Sequence, residues 1–204
     1  MTQTALVTGA AAGLGNVIAT HLLAQGFQVV MTDVDAARVQ QAADRIDNGQ
    51  GKVLALALDI RQPQDFEQAL KATIDRFGRL EVLVNNAALT LATPVMEIEV
   101  DEFDRVMTTN LRGTFVGCQT LGRYFASLGY GRIINLASLA GQNGGTASGA
   151  HYAASKGGIL TLTKIFAREL SKSGVTVNAI APARWIPRQS TPSSRKRKWR
   201  GCCR

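Results

Sequence analysis

The chain has 204 residues, of which 46% are hydrophobic and 19% are charged, a balance that suits one compact domain and excludes wholesale disorder. Its formal net charge is +8, but eight of the 23 Lys and Arg lie after residue 183, where no Asp or Glu occurs. The other basic residues balance the 15 Asp and Glu, so the net charge indicates no anionic partner for residues 1–183.

Short apolar runs alternate along the chain with longer segments of helical periodicity. In chain order, the apolar runs predict six strands, over residues 4–9, 27–33, 52–60, 80–87, 131–138 and 175–182. The segments between them predict helices over residues 13–26, 35–47, 63–78, 99–125 and 152–171. Gly113 and Gly117 weaken the fourth of these helices. Such alternation is typical of the α/β class, in which a doubly wound parallel sheet is covered by helices on both faces.

The apolar periodicity stops after Pro182, and a basic segment with two tryptophans and a cysteine pair follows. We therefore predict a domain over residues 1–182 and a disordered basic tail over residues 183–204. The three cysteines form neither a disulfide framework nor a set of metal ligands, so no metal site is predicted. No signal peptide or membrane span is recognised, and the expected location is the cytoplasm.

The first predicted strand runs into a glycine-rich turn, Thr8–Gly15 (TGAAAGLG), that precedes a helix. Gly9, Gly13 and Gly15 permit unusual backbone angles and close approach of a phosphate, and the helix N-terminus offers free N–H groups. Asp33 ends the second strand, where a carboxylate accepts hydrogen bonds from the adenosine ribose and repels a 2′-phosphate. The pattern therefore predicts a dinucleotide site that prefers NAD over NADP. The alternatives are a purely structural turn and a solvated carboxylate at a strand end.

A second chemical pattern is HYAASKGG, which places Tyr152 and Lys156 four residues apart at a helix start. Residues at this spacing share a helix face, and a nearby ammonium favours the phenolate form of a tyrosine. The pair therefore suits proton transfer in the interconversion of an alcohol and a ketone. Taken alone, such a pair is more often an ordinary surface pair.

Taken together, these patterns resemble the short-chain dehydrogenase/reductase family over residues 4–182. The matching pieces are, in family order, TGAAAGLG, Asp59 at the end of the third strand, NNAA at 85–88, Asn110, Ser138 and YAASK at 152–156. The resemblance implies a Rossmann-type three-layer sandwich with strand order 3-2-1-4-5-6, and a substrate site at the carboxyl ends of the strands.

The resemblance also implies roles for individual residues. Tyr152 would be the catalytic acid/base, Lys156 would assist it and hold the nicotinamide ribose, and Ser138 would hydrogen-bond the substrate oxygen. Asn110 would interrupt its helix and hold a water in a proton relay behind Lys156. Asp59 would meet the adenine ring. Further positions implied in cofactor binding are Gly9, Ala12, Gly13, Leu14, Gly15, Asp33, Ile60, Asn86, Ala87 and Pro182.

Simpler interpretations of several residues stay open beside these roles. Ser138 would then be an ordinary loop serine, and Asn110 would only cap a helix segment. We expect His21 on a helix surface and His151 in solvent rather than against the substrate. Cys118 is expected in the core.

The chain departs from the family pattern in two places. Ala88 stands where the family usually has a glycine. After NAIAP, Ala183, Trp185 and Pro187 replace a glycine, a small residue and a threonine that grip the nicotinamide carboxamide in the family. No sequence remains for the family's seventh strand, so we expect translation in a wrong reading frame from about Ala183. The family implies a homo-tetramer or dimer, which we expect to be weakened here, with little or no turnover.

The sequence thus predicts an enzyme, an NAD(P)-dependent oxidoreductase that interconverts a secondary alcohol and a ketone. NAD is the expected cofactor and a small molecule the expected substrate. Both 3-oxoacyl reductases and polyol or sugar dehydrogenases fit the pattern. One alternative is a non-catalytic nucleotide-binding remnant. The other is a protein that binds an anionic partner through its basic tail, although a nucleic acid is not expected because a basic run lacks a base-reading architecture.

Overall fold

The computed structural model describes residues 2–145 and 148–183. In that part of the chain, six parallel strands form one sheet in the order β3-β2-β1-β4-β5-β6. The strands are β1 (Thr4–Thr8), β2 (Gln28–Asp33), β3 (Val53–Ala57), β4 (Val82–Asn85), β5 (Gly131–Leu136) and β6 (Val175–Ile180). This confirms the predicted α/β class and the predicted strand order.

Helices connect the strands and cover the sheet. They are α1 (Gly13–Ala24), α2 (Ala36–Asp47), α3 (Pro63–Phe77), α4 (Val100–Met107), α5 (Gly113–Leu128), α6 (Ala140–Asn143) and α7 (Ala150–Leu170). Two short 3-10 turns, Val95–Glu97 and Ser171–Ser173, precede α4 and β6. None of the helices in the described ranges is long and apolar enough to cross a membrane.

The core lies in two layers, one on each face of the sheet. Successive side chains of a strand point to opposite faces, so neighbouring residues enter different layers. Leu6 and Leu83 pack in the layer that contains α3, α5 and α7. Val7 and Val84 pack in the layer that contains α1 and α2. Because both faces of the central strands are buried, their sequences are apolar at almost every position.

The third strand is shorter than predicted. It ends at Ala57 instead of residue 60, so Asp59 and Ile60 lie in the loop before α3. Asp65, in the first turn of α3, accepts a hydrogen bond from the Asp59 N–H at 2.8 Å. The Leu58 N–H still bonds the Asp33 carbonyl of β2, whereas the Asp59 N–H bonds α3, so the pairing with β2 ends before residue 60.

The predicted helix over residues 99–125 is one continuous helical segment, because a π turn at Thr108–Arg112 joins α4 directly to α5. Gly113 and Gly117 do not interrupt it. A β-carbon at Gly113 would overlap the Ile60 side chain, and one at Gly117 would overlap the Asn85 side chain. The two glycines therefore permit close packing, and these contacts outweigh their low helix propensity.

The end of the chain is only partly covered by the structure. Residues 184–204 lie outside the described ranges, and with them the predicted basic tail and the departures at Trp185 and Pro187. Pro182 and Ala183 are described and follow β6. Within the described residues, β6 pairs with β5 alone.

Candidate functional site

A cleft of about 1090 Å³ opens at the carboxyl ends of the strands, where the loops after all six of them meet. Most of the residues singled out in the sequence line this cleft. They are Gly9, Ala12, Leu14, Asp33, Asp59, Ile60, Asn86, Ala87, Ser138, Tyr152, Lys156 and Pro182. Gly13, Gly15 and Asn110 do not line it in the described part of the chain.

The turn after β1 lets a ligand approach the main chain closely. Gly9 and Gly13 have φ angles of +64° and +60°, in the left-handed region that favours glycine. A β-carbon at Gly15 would overlap the carbonyl oxygen of Gly9. Among the described residues, no side chain caps α1 at Ala12, and its first turn holds no acidic residue. Its free N–H groups and positive dipole end therefore suit an anionic group such as a phosphate.

Asn86 and Thr8 hold this turn against the end of β4. The Asn86 side-chain amide donates to the carbonyl oxygens of Thr8 and Gly9, at 2.8 and 3.1 Å. The Thr8 hydroxyl accepts from the N–H groups of Asn86 and Ala87, at 3.0 and 3.1 Å. Sequence reasoning missed Thr8, although a threonine directly before the first glycine of the turn was the available signal. The amide and the hydroxyl together fix the floor of the cleft.

Asp33 and Asp59 were both predicted to contact the adenosine part of the cofactor, but their carboxylates have different hydrogen-bond partners. Asp33 accepts the Ala11 N–H at 3.3 Å and lines the cleft at the end of β2. Asp59 is instead occupied by the guanidinium of Arg61, with Nη2 at 2.6 Å from Oδ2. Hydrogen bonding to the Arg61 side chain lowers the pKa of Asp59. Its carboxylate oxygens are thus already paired within the protein.

Ser138, Tyr152 and Lys156 meet at the other end of the cleft. Ser138 lies just after β5, and its hydroxyl accepts the Ala140 N–H at 3.1 Å. Tyr152 and Lys156 lie in the first two turns of α7, with the Lys156 Nζ 5.7 Å from the centre of the Tyr152 ring. The arrangement brings a hydroxyl, a phenol and an amine onto one wall of the cleft.

Lys156 is buried, and its Nζ donates to the carbonyl oxygen of Leu136 at 2.5 Å. Burial disfavours the charged ammonium and lowers the pKa of Lys156 to about 8. A lysine with such a pKa changes its charge near the pH at which enzymes commonly work, which is typical of a functional site.

Asn110 lies in the π turn and is fully buried. Its side-chain oxygen accepts the Leu89 N–H at 2.7 Å, and its amide donates to the Leu89 carbonyl at 2.9 Å and to the Ser155 hydroxyl at 3.1 Å. The helix forms a π turn at Asn110, where the resemblance implied an interruption, and the residue lies within a continuous helical segment rather than at a cap. Its side chain ties the loop after β4 to α7.

The prediction that His151 lies in solvent is wrong. His151 is fully buried, and its Nε2 lies 2.8 Å from the Glu102 Oε1 on α4. The local sequence showed only a polar residue at a helix start, whereas the packing of α4 against that start covers the imidazole. His21 is exposed on α1, as predicted. Cys118 is buried as predicted, and burial raises its pKa to about 12, which leaves an unreactive thiol.

The sequence of this chain is similar to those of known proteins. The family described as short chain dehydrogenase matches residues 3–196. A 3-oxoacyl-[acyl-carrier-protein] reductase from Synechocystis is 37% identical over 182 residues, which cover 88% of this chain and 73% of that protein. A 2-(R)-hydroxypropyl-CoM dehydrogenase from Xanthobacter autotrophicus is 37% identical over 186 residues, covering 89% of this chain and 74% of the relative.

The fold of this chain is also similar to those of solved structures. A crystal structure of NAD+-bound xylitol dehydrogenase superposes with a TM-score of 0.84 at 30% identity, covering 89% of this chain and 70% of that one. A short chain dehydrogenase from Bacillus anthracis also gives a TM-score of 0.84, at 32% identity, covering 88% of this chain and 75% of the other.

Proposed function

The chain belongs to the short-chain dehydrogenase family of NAD(P)-dependent oxidoreductases, and from that premise we propose that it interconverts a secondary alcohol and a ketone with Tyr152 as acid/base, at a turnover lowered by the departures from the family pattern after Pro182. One observation carries the proposal. Ser138, Tyr152 and Lys156 line the same cleft as the glycine turn, although they lie far from that turn in the sequence. The cleft can therefore hold a dinucleotide at one end and a small substrate at the other.

The cleft suits a nicotinamide dinucleotide. The space beside Gly9 and the uncapped start of α1 would take the pyrophosphate, and Asp33 would take the adenosine ribose. The Asp33 carboxylate favours NAD, because it would repel the 2′-phosphate of NADP. When bound, the nicotinamide would accept hydride from the alcohol or supply it to the ketone.

The chain's own residues would transfer the proton to and from the substrate oxygen. The Tyr152 phenol would give a proton to the substrate oxygen during reduction and take it back during oxidation. Lys156, while charged, would favour the phenolate, and the Ser138 hydroxyl would donate to the substrate oxygen as negative charge develops there. Asn110 would act without contacting the substrate, by holding α7 in place through its hydrogen bond to Ser155.

The relatives suggest two substrate classes rather than one. Several are named 3-oxoacyl-[acyl-carrier-protein] reductases, and one solved structure is a xylitol dehydrogenase. The direct test is a panel of 3-oxoacyl thioesters and polyols, assayed by the change in NADH absorbance, with Tyr152→Phe as the inactive control. The proposal is supported if the unsubstituted chain turns over any compound of the panel and Tyr152→Phe does not. NADH binding with no turnover across the panel contradicts it and indicates a protein that only binds the nucleotide.

We also propose that the protein forms a homo-oligomer through one apolar face. Met107, Leu111, Phe115 and Leu162 line a shallow groove between the long helical segment and α7. Ile165, three residues after Leu162 on α7, is also an exposed apolar side chain. Burying such a face against a second copy removes apolar area from water. Light scattering of the full chain, with Phe115→Glu as the disrupting variant, tests the assembly.

A further inference from the structure

His151 makes two hydrogen bonds that fix its protonation state. Its Nδ1 lies 3.0 Å from the Tyr152 main-chain nitrogen, which can only donate, so Nδ1 carries no proton. Its Nε2 lies 2.8 Å from the Glu102 Oε1. The neutral imidazole therefore carries its proton on Nε2 and donates it to the carboxylate. His151 does not line the cleft, so it acts on the site only through its neighbours.

The imidazole replaces a helix cap. The third N–H group of a helix is normally satisfied by the side chain of the N-cap residue, but the N-cap of α7 is Gly149, which has no side chain. The Tyr152 N–H donates to the His151 imidazole instead. A β-carbon at Gly149 would lie 2.6 Å from that same Nδ1. Gly149 and His151 are therefore matched, since the glycine leaves the space that the imidazole fills.

The same contacts tie α7 to its surroundings. The Thr93 hydroxyl and His151 hydrogen-bond to Glu102 and lower the pKa of its carboxyl, so this group stays ionised and able to accept. Gly149 donates its N–H to the Leu91 carbonyl at 2.9 Å. The start of α7 is thus held by both α4 and the loop after β4.

We propose that His151 is a positioning residue that sets the first turn of α7, and with it the Tyr152 side chain, in the geometry needed for proton transfer. The inference rests on the proposed function of Tyr152 as acid/base. Glu102 orients the imidazole, in the way that a carboxylate orients a catalytic histidine through its second nitrogen.

The test compares His151→Ala with the double variant His151→Ala plus Gly149→Ser, which supplies a conventional cap. The single variant should lose ~10- to 100-fold in kcat, because a small displacement of a reacting group is costly, with NADH affinity changed less than about twofold. The added serine should restore most of kcat, since its hydroxyl can accept the Tyr152 N–H. A kcat unchanged in His151→Ala, or lost without recovery in the double variant, would overturn the proposal. His21→Ala, at the only other histidine of the chain, should leave kcat unchanged.

A second readout separates this proposal from the proposed function. Nitrogen NMR of the imidazoles distinguishes a protonated from a bare nitrogen, and His21→Ala assigns the two signals. We expect a bare Nδ1 and a protonated Nε2 on His151. A proton on Nδ1 would overturn the positioning role even in an active enzyme. Conversely, the expected tautomer in a chain without turnover would refute the proposed function and leave the capping geometry standing.

Discussion

The Nζ of Lys156 donates to the main-chain carbonyl oxygen of Leu136 at 2.5 Å, which joins the second turn of α7 to the last residue of β5. This contact seats a buried amine beside the end of the sheet where Ser138 also lies. The position explains both the altered pKa of the lysine and its proximity to Tyr152.

The first prediction concerns pH. Burial lowers the pKa of Lys156 from 10.5 to about 8, so the ammonium that assists Tyr152 is lost as the pH rises through 8. We expect kcat/KM for the cofactor, which reports the free enzyme, to fall through that range. Lys156→Arg should move the fall to higher pH, because a guanidinium stays charged. Lys164→Arg, on the exposed side of α7, should leave the profile unchanged.

The lowered pKa of Lys156 has the opposite effect on stability, which rises with pH where the catalytic rate falls. The two pH dependences can therefore be told apart. Between about pH 8 and 10.5 the unfolded chain binds more protons at Lys156 than the folded chain does. The contribution of this group to the free energy of unfolding therefore rises with pH in that window. A rate that stays level well above pH 8 would contradict the assigned role of the ammonium.

The second prediction concerns the tyrosine hydroxyl. Tyr152→Phe should lower kcat by roughly 10²- to 10⁴-fold, the usual contribution of a positioned acid/base. Binding of NADH, followed by fluorescence titration, should change little because the ring remains. Tyr130→Phe removes a hydroxyl outside the cleft, bonded only to Gln3 among the described residues, and should leave both quantities unchanged. Activity that survives in Tyr152→Phe would require another acid/base.

The third prediction concerns cofactor choice. Asp33→Asn removes the charge that repels a 2′-phosphate but keeps an oxygen for the Ala11 N–H. Arg38 lines the same cleft and would then favour the phosphate. We expect the ratio of NADPH to NADH affinity to rise by on the order of tenfold, about 1.4 kcal/mol, in competitive titrations. Asp35→Asn, which keeps the cap of α2, is the matched control. An unchanged ratio in Asp33→Asn would remove the basis for preferring NAD.

The fourth prediction concerns the glycine turn. Gly15→Ala would press a methyl group against the main chain of Gly9 and the Asn86 amide, where the backbone has no room to yield. We expect a loss of about 1–3 kcal/mol in the free energy of unfolding and weaker NADH binding. In Gly122→Ala the new methyl group meets only side-chain ends, Leu170 Cδ1 at 3.1 Å and Ile133 Cδ1 at 4.0 Å, so the change should stay below about 1 kcal/mol. Chemical denaturation of the two variants provides the comparison, and equal losses would count against a shaped turn.

The sequence predicted the fold well because each strand and helix has its own local sequence pattern, and these patterns alternate along the chain. Strands such as β1 are buried on both faces, so their apolar runs could be read directly. The glycine turn was equally predictable, since the left-handed φ angles of Gly9 and Gly13 favour glycine. The strand order followed from the resemblance to a known family, which the fold confirms.

What the sequence did not predict depends on contacts between distant segments. Glu102 and His151 lie 49 residues apart, and nothing in either segment indicated that α4 would cover the imidazole. The pairing of Asp59 with Arg61 is local instead, and it was missed because the third strand was predicted to run to residue 60, whereas it ends at Ala57. Thr8 was overlooked because a polar residue ending an apolar strand has no periodicity to mark its partners.

The most direct test of the account is transfer of a labelled hydride. The full chain would be incubated with NADH that carries deuterium at both C4 positions of the nicotinamide and with the 3-oxoacyl thioesters of the panel and the ketones that correspond to its polyols. The alcohols formed would be analysed by mass spectrometry. We predict one deuterium on the new carbinol carbon, and incorporation slower by at least about 10²-fold when Tyr152→Phe replaces the unsubstituted chain. Tight binding of the labelled NADH without deuterium in any alcohol would contradict the assignment of this cleft as an oxidoreductase active site.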